Sequence, residues 1–355
     1  MTTPVSTIAA VHGVLPPHTY RQSDITAEMA ELLTDGKSRA AVLERFHTSA
    51  QVRTRHLALP LERYRSLTGF GEANDAYLES ALPLAAQAIS GALEDAGLAA
   101  ADVDAVFSTT VTGVAAPSLE ARISGLVGFR TDVKRVPLFG LGCVAGAAGL
   151  ARVHDYLVGH PDQVAVLLSV ELCSLTFQRA DNSVANFVGS GLFGDGAAAV
   201  VVVGANRAAD FSGPAIIDSR SHLYPDTERT MGWDVKSSGF QIVLGAEVPR
   251  LVEEYVGQDV REFLSAHGLT IADVSTWVAH PGGPKVIQAL GSVLDLPDEA
   301  FELTWRSLAE VGNMSSASVL HVLRDTIEKR PPADTPGILM AMGPGFCSEL
   351  VLLRW

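Results

Sequence analysis

Apolar positions along the chain follow two repeats, one typical of helices and one typical of strands. Residues 5–12 predict a first short strand, and Ser23 or Asp24 is the predicted cap of a helix with one apolar face. A longer helix is predicted over residues 76–96, because its apolar repeat stops at Gly97. Helices and strands alternate in this way through the chain, which favours an α/β fold with a mostly parallel sheet.

The longest mostly apolar stretch, residues 136–157, changes character at Gly140 and Gly142. An extended run ends there, and a helix of very small residues begins directly behind Cys143. A thiol at such a strand-to-helix elbow lies at a positive helix end, which predicts a lowered cysteine pKa and a candidate nucleophile. The alternative is a buried structural cysteine, since free cysteines are commonly buried.

A sparse internal repeat relates the two halves of the chain. Residues 96–103 share Gly, Leu, Asp and Val positions with residues 267–274, and further along Cys143 overlies Asn313. Chance agreement in an alanine-rich chain is the competing explanation. If the repeat is real, Cys143 and Asn313 begin equivalent helices and face one another between two α/β halves, where an active site would lie.

Composition and charge narrow the class of protein. The chain has 355 residues, of which 47% are hydrophobic, so it can fill a large core. Its net charge of −14 argues against a nucleic-acid partner. Three cysteines form no disulfide framework, the first residues lack a signal-peptide pattern, and no apolar stretch is long enough for a membrane span. These features predict a cytoplasmic protein without a membrane span.

Two other polar residues, His280 and Asn313, lie at the ends of predicted elements, where catalytic side chains are commonly found. His280 ends an apolar run and precedes Pro-Gly-Gly-Pro, and Asn313 lies in a small-residue turn that opens a helix. Either residue alone is more often structural. Together with Cys143 they form a set in which histidine can stabilise a thiolate, and histidine with asparagine can donate to a developing oxyanion.

Five separated motifs carry a family resemblance: residues 140–146, 192–199, 277–284, 312–318 and 342–345. In this order they resemble those of a type III polyketide synthase of the chalcone synthase type, and most nearly an actinobacterial alkylpyrone synthase. The resemblance covers essentially the whole chain. It implies a thiolase-like αβαβα sandwich of two pseudo-duplicated halves, residues 1–208 and 209–355, in a homodimer.

The resemblance also implies an activity. An acyl-CoA starter would load Cys143, and His280 and Asn313 would assist decarboxylation of malonyl-CoA. Repeated condensation and ring closure would then give an alkyl α-pyrone. The substrates are CoA thioesters, with no separate cofactor and no metal.

Further site residues are carried over by the resemblance, position by position. Residues expected at the gate or the cavity wall are Phe193, Ile242, Thr112, Cys173, Thr176, Ser315 and Gly345. Residues expected to bind CoA are Arg45, Arg53, Arg55, Gly282 and Gly283. The aliphatic Ile242 stands where plant relatives have phenylalanine, which favours a long alkyl starter.

Several alternatives remain at this point. A ketoacyl synthase that performs a single condensation has the same three residue types, and an inactive acyl-CoA-binding subunit belongs to another class. The glycine spacing before Cys143 does not fit a dinucleotide loop, and the histidines and cysteines lack zinc-ligand spacing. Starter length, number of extensions, choice of extender and mode of ring closure stay open.

Overall fold

The computed structural model describes residues 6–33 and 37–355. Its strands are β1 (Ser6–Val14), β2 (His18–Arg21), β3 (Thr54–Leu57), β4 (Ala105–Thr110), β5 (Lys134–Phe139), β6 (Val164–Leu172), β7 (Asp195–Gly204), β8 (Ala215–Leu223), β9 (Met231–Lys236), β10 (Gly239–Leu244), β11 (Thr276–Ala279), β12 (Pro336–Gly343) and β13 (Cys347–Arg354).

The α-helices are α1 (Gln22–Leu33), α2 (Lys37–Ser49), α3 (Phe70–Ala96), α4 (Leu119–Val127), α5 (Ala145–Val158), α6 (Val184–Leu192), α7 (Val248–Leu251), α8 (Gly257–Ala266), α9 (Pro284–Leu294), α10 (Glu302–Val311) and α11 (Ser316–Glu328). A π-helical turn, Val252–Val256, joins α7 to α8.

The elements predicted from the first hundred residues are present with shifted ends. The strand predicted over 5–12 is β1, which continues to Val14, and residue 5 lies outside the described residues. Helix α1 begins at Gln22, so Ser23 and Asp24 lie inside its first turn and do not cap it. Helix α3 ends at Ala96 and is capped by the predicted Gly97, whose φ of 66° is the left-handed conformation that suits glycine.

One nine-stranded sheet has the order β11-β12-β13-β8-β1-β7-β6-β4-β5. The pairs β11–β12, β4–β5 and β4–β6 are parallel, and the other five are antiparallel. The prediction of a mostly parallel sheet is therefore wrong. The chain turns back on itself between β12 and β13 over residues 344–346, and so short a connection makes neighbouring strands antiparallel.

Helices α5 and α11 lie between the two halves of the sheet. Leu150 of α5 and Leu320 of α11 share one buried cluster with Leu167 of β6 and Leu339 of β12. The outward faces of β6 and β7 pack against α3, and those of β12 and β13 pack on the side of α8 and α9. This gives the αβαβα layering that was predicted, with α5 and α11 as the central layer.

The two halves repeat one another in topology. Strands β5-β4-β6-β7-β1 run toward the middle of the sheet from one edge, and β11-β12-β13-β8 run toward it from the other. The predicted repeat also appears locally, since Asp102 accepts from the Ala99 N–H and Asp273 from the Thr270 N–H in matching turns. A division into residues 1–208 and 209–355 stays a prediction, because one sheet runs through both halves.

Candidate active site

Cys143 lies in the strand-to-helix elbow that its sequence predicts. Strand β5 ends at Phe139, and a single 3₁₀ turn, Gly142–Val144, leads into α5. Gly142 has a φ of 58°, and a Cβ there would lie 2.6 Å from the Pro344 ring. Only glycine meets both demands, so this position allows the elbow to approach the Pro344 loop.

The electrostatics at Cys143 differ from the prediction. The pKa of the Cys143 thiol is raised to about 12, first by burial and also by the nearby Glu171 carboxyl. Hydrogen bonding to Ser315 and Asn313 acts in the opposite direction, with the Cys143 Sγ donating to Ser315 Oγ at 3.6 Å. The predicted lowering by the helix end is therefore wrong, because desolvation of the thiolate outweighs it.

His280 follows the last residue of β11 and is 2% exposed. Its backbone N–H donates to the Met340 carbonyl at 2.9 Å, and its carbonyl accepts from the Gly282 N–H at 2.8 Å. Neither ring nitrogen has a hydrogen-bond partner among the described residues. Burial lowers the pKa of His280 to about 3, so the ring is neutral near pH 7 and offers one N–H and one lone pair.

Asn313 is held from both sides of Phe193. Its N–H donates to the Leu192 carbonyl and its carbonyl accepts from the Gly194 N–H, each at 2.9 Å. The side-chain Oδ1 accepts from the Ser315 N–H at 2.8 Å, and the Nδ2 donates to the Gly282 carbonyl at 3.5 Å. The amide oxygen is thus engaged, which leaves the amide N–H group as the donor available to a substrate.

These three side chains line one cavity of about 370 Å³. Predicted residues that also line it are Phe193, Ile242, Cys173, Ser315, Gly282 and Gly283. Much of the remaining wall is apolar and comes from α6, from the β9–β10 hairpin and from α7. The structure therefore brings together residues that are far apart in the sequence.

Three residues predicted at the cavity wall do not line this cavity. Thr112 borders a second cavity of about 170 Å³ and donates its hydroxyl proton to Glu171. Thr176 donates to the carbonyl of Cys173, and the Gly345 carbonyl accepts from Thr227. The prediction is corrected for all three, because none of them lines the cavity that contains Cys143.

The three predicted CoA-binding arginines have different surroundings. Arg55 is fully buried and donates to Gln22 and to the Phe193 carbonyl, so its assignment to CoA phosphates is wrong. Arg53 is exposed, forms a 3.7 Å ion pair with Glu310 and does not line the cavity. Arg45 is exposed on α2, one residue before the wall residue Phe46.

Sequence reasoning missed three residues at or beside the site. Trp233 of β9 pairs across the hairpin with Ile242, and both line the cavity. Lys285 lines it from the first turn of α9 with an exposed side chain. Glu171 is fully buried behind the wall, and burial raises its pKa to about 7. A lysine directly after Pro-Gly-Gly-Pro was a usable signal, whereas nothing local marks Trp233 or Glu171.

The arrangement suits chemistry at a carbonyl carbon. A thiol lies beside N–H donors of neutral groups in a mostly apolar cavity, where hydrogen bonds to a developing oxyanion are stronger than in water. Residues 6–33 and 37–355 contain no cluster of three or more His, Cys, Asp or Glu side chains that could hold a metal ion. No helix in this part of the chain has the length and apolar character needed to cross a membrane.

Family comparisons cover nearly the whole chain. The models of the N-terminal and C-terminal domains of chalcone and stilbene synthases match residues 2–207 and 215–355. A 1,3,6,8-tetrahydroxynaphthalene synthase of Streptomyces peucetius subsp. caesius is 58% identical over 99% of this chain and 93% of the relative. The alpha-pyrone synthesis polyketide synthase-like Pks18 of Mycobacterium tuberculosis is 30% identical over 98% of this chain and 92% of the relative.

Solved structures agree in fold. The 1,3,6,8-tetrahydroxynaphthalene synthase of Streptomyces coelicolor A3(2) superposes with a TM-score of 0.91 and 31% identity, over 98% of this chain and 99% of the other. The polyketide synthase PKS-I of the brown alga Ectocarpus siliculosus has a TM-score of 0.93 and 25% identity, over 100% of this chain and 99% of the other. The five layers described above are thus those of the thiolase-like fold.

Proposed function

Because the chain belongs to the chalcone and stilbene synthase family of type III polyketide synthases, we propose that it builds its product on Cys143 from malonyl-CoA. The enzyme is an acyltransferase of this family. The observation that carries the proposal is the meeting of Cys143, His280 and Asn313 in one mostly apolar cavity.

Loading begins with a thiol, since the raised pKa of Cys143 keeps it protonated near neutral pH. The sulfur attacks the thioester carbonyl of the starter, and the bond from that carbon to the CoA sulfur breaks. The neutral His280 ring accepts the thiol proton and returns it to the departing CoA sulfur. The products of the step are an acyl-Cys143 thioester and free CoA.

Extension follows at the same place. Malonyl-CoA loses carbon dioxide, and the electron pair of the broken carbon–carbon bond forms an enolate whose oxygen accepts from His280 and Asn313 N–H groups. The enolate carbon attacks the acyl-Cys143 carbonyl, the carbon–sulfur bond breaks, and the released Cys143 thiolate takes up one proton from solvent, relayed through His280. The chain, longer by two carbons and now on CoA, returns to Cys143 for the next round.

For the product, the relative at 58% identity favours a hydroxylated naphthalene. The tetrahydroxynaphthalene for which that relative is named has a skeleton that can be assembled from two-carbon units alone, so malonyl-CoA would serve as both starter and extender. Trp233 supports this assignment, because its ring occupies the wall beside Ile242 and limits the length of chain that fits.

An alkyl α-pyrone from a long-chain starter is the second candidate. The wall residues Val188, Leu244 and Val248 join Ile242 in an aliphatic surface that suits an alkyl chain. The relative at 30% identity that is named for alpha-pyrone synthesis supports the same reading. The two candidates differ in the starter that they require.

For CoA, the proposed anchors are Arg45 and Lys285. Both side chains are exposed, Lys285 lines the cavity, and Arg45 is one turn of α2 from the wall residue Ser49. In a chain with net charge −14, an exposed lysine in the cavity wall and an exposed arginine next to the wall residue Phe46 are suited to the phosphates of CoA. Gly282 and Gly283 line the same cavity and would let the ligand approach the backbone.

We also propose a homodimer formed at β5. This strand is the sheet edge nearest Cys143, and Phe139 at its end is 55% exposed. An uncovered edge strand with a large apolar side chain favours pairing with another strand. A second copy of the chain would cover both features, and a cytoplasmic location remains part of the proposal.

The first experiment is mass spectrometry of products from the purified protein. We expect malonyl-CoA alone to give a tetrahydroxynaphthalene mass, and Cys143→Ala to abolish it. Cys347→Ala is the matched control, because Cys143 and Cys173 line the cavity and Cys347 does not. Acyl-CoA starters of increasing length are then added to each protein.

Each outcome identifies one candidate. Product that forms only with an acyl-CoA, and whose mass follows the length of that starter, would replace the naphthalene by the alkyl pyrone. A single two-carbon extension would indicate a ketoacyl synthase. Product formation by Cys143→Ala would refute the mechanism itself.

A further inference from the structure

Arg55 is a fully buried cation beside the active site rather than a surface residue. Its Nη1 donates to the Phe193 carbonyl at 2.7 Å, and its Nε donates to Gln22 Oε1 at 3.1 Å. Burial lowers the pKa of Arg55 to about 10, and the Asp195 carboxyl opposes that change, so the group is charged near pH 7. A buried charge is costly, and it indicates that these contacts are specific.

One acceptor of this group, the Phe193 carbonyl, stands in the segment that holds Asn313, and the other, Gln22, is bonded to the same segment. Gln22 donates its own amide proton to the Gly191 carbonyl at 2.7 Å, so Gln22 and Arg55 together hold carbonyls on both sides of Leu192. Leu192 in turn accepts from the Asn313 N–H. The two backbone hydrogen bonds of the Phe193–Asn313 bridge join Asn313 to Leu192 and to Gly194. Both of these residues are neighbours of Phe193, whose carbonyl Arg55 holds.

The stem of Arg55 also packs beside two turns that approach one another closely. A Cβ on Gly312 would lie 2.8 Å from the Leu192 carbonyl oxygen and 3.3 Å from the Arg55 Cδ. A Cβ on Gly194 would lie 2.3 Å from the Val311 carbonyl oxygen and 3.8 Å from the Arg55 Cγ. The stem thus lies where the segment that contains Phe193 meets the turn that carries Asn313.

The strand that carries Arg55 is tied to the same region. The Arg53 N–H donates to the Ala309 carbonyl at 2.7 Å, and Thr54 Oγ1 donates to the Glu310 carbonyl at 2.5 Å. On the other side, the Ala58 N–H donates to Asp195 at 2.7 Å. Strand β3 therefore holds Arg55 in place from both ends.

We propose that Arg55 is a positioning residue for the reaction: by holding the Phe193 carbonyl, it sets the place of the gate residue Phe193 and of the Asn313 amide. The inference rests on the proposed role of Asn313. Arg55 itself does not line the cavity and acts through these two residues. Gln22 supports it by fixing the orientation of the guanidinium.

The test measures malonyl-CoA decarboxylation in a Cys143→Ala background, where condensation does not interfere. The variants are Arg55→Met, which keeps the stem and removes the donors, and Arg55→Lys, which keeps one charge. Arg63→Met is the matched control, since Arg63 is exposed and does not line the cavity.

For Arg55→Met we expect kcat to fall by about tenfold to a hundredfold, with KM changed by less than about threefold, because displaced catalytic groups lose rate more than binding. Arg55→Lys should recover part of the lost kcat. Arg63→Met should keep the kcat of the parent protein. Asn313→Ala combined with Arg55→Met should be no slower than Asn313→Ala alone, since Arg55 acts through Asn313.

Other results would overturn the inference in separable ways. A raised KM with unchanged kcat would return Arg55 to substrate binding, and a lowered melting temperature with unchanged kcat would make its role only structural. If the double variant instead lost kcat by the product of the two single-variant factors, Asn313 and Arg55 would act independently, which contradicts the inference. If Asn313→Ala alone kept the parent rate, the proposed function of Asn313 would fail instead.

Gln22→Met keeps the inference testable if Arg55→Met does not fold. This variant retains Arg55 and removes both the acceptor of its Nε and the donor to Gly191. A smaller loss of kcat, about threefold to tenfold, is expected from the freer guanidinium. An unchanged kcat in a folded Gln22→Met protein would contradict the positioning role.

Discussion

Desolvation decides the resting charge of the residues around Cys143. The pKa of the thiol is raised to about 12 and that of His280 is lowered to about 3, in both cases first by burial. A neutral thiol beside a neutral imidazole follows from these two shifts. The free enzyme then differs from a cysteine hydrolase with a preformed thiolate, and the proton must leave the sulfur during acyl transfer.

This charge state predicts how Cys143 reacts with iodoacetamide. For a thiol far below its pKa, the thiolate fraction and hence the alkylation rate should rise about tenfold per pH unit between about pH 7 and pH 9. Intact-protein mass spectrometry gives the rate, with Cys143→Ala subtracting reaction at other cysteines. A rate that is already constant above about pH 6 would show a preformed thiolate and contradict the shift.

At the scale of elements, α5 and α11 pack as closely as backbone allows. A Cβ on Gly146 of α5 would lie 2.3 Å from the Ser316 carbonyl oxygen of α11. A Cβ on Gly125 of α4, in contrast, would meet no atom within 4 Å. The two glycines therefore allow one substitution to be compared in opposite surroundings.

We expect Gly146→Ala to lower the free energy of unfolding by about 1 to 3 kcal/mol, because the methyl group must push the central helices apart. Gly125→Ala should raise it by about 0.5 to 1 kcal/mol, since alanine is the better helix former where nothing is displaced. Denaturant unfolding followed by circular dichroism measures both. Equal effects would mean that the central layer can widen without cost.

The β9–β10 hairpin controls the space for the growing chain. Ile242 contacts α6, where a Cβ on Gly189 would lie 3.1 Å from the Ile242 Cδ1. Since that side is closed, a larger side chain at 242 must extend into the cavity. We expect Ile242→Phe to reduce kcat/KM for long acyl-CoA starters at least about tenfold more than for short ones.

A control on the same hairpin separates steric blocking from loss of the hairpin itself. Val235 is 68% exposed and does not line the cavity, so Val235→Phe should leave the starter profile unchanged. Rates measured with a ladder of starters give the profile of each protein. Equal losses for short and long starters with Ile242→Phe would remove the steric argument.

At the scale of the whole molecule, the proposed dimer makes a direct prediction. Phe139→Glu places a charge on the exposed end of β5, so the mass measured by light scattering should fall from that of two chains to that of one. Leu223→Glu is the control, because Leu223 is 70% exposed at the end of β8, which lies inside the sheet order. A wild-type protein that is already monomeric would refute the proposal.

Local signals allowed the elbow at Cys143 and the end of α3 at Gly97 to be predicted, whereas the five-layer fold was predicted from the family resemblance of five separated motifs. Glycines and apolar periodicity act over a few residues, so the sequence displays them. The pKa of Cys143 and the burial of Arg55 were not predictable in this way, because each depends on chain segments that are distant in sequence. Antiparallel pairing was missed for a related reason, since strand direction depends on the path of each connection.

The β9–β10 hairpin forms a two-stranded sheet of its own, apart from the nine-stranded sheet. It supplies Met231, Trp233, Ile242 and Leu244 to the cavity wall but none of the three proposed catalytic residues. Mutations in the hairpin can therefore accumulate without disturbing the groups that make bonds. In evolutionary terms, substitutions confined to the β9–β10 hairpin can change the product of such an enzyme while its condensation reaction stays the same.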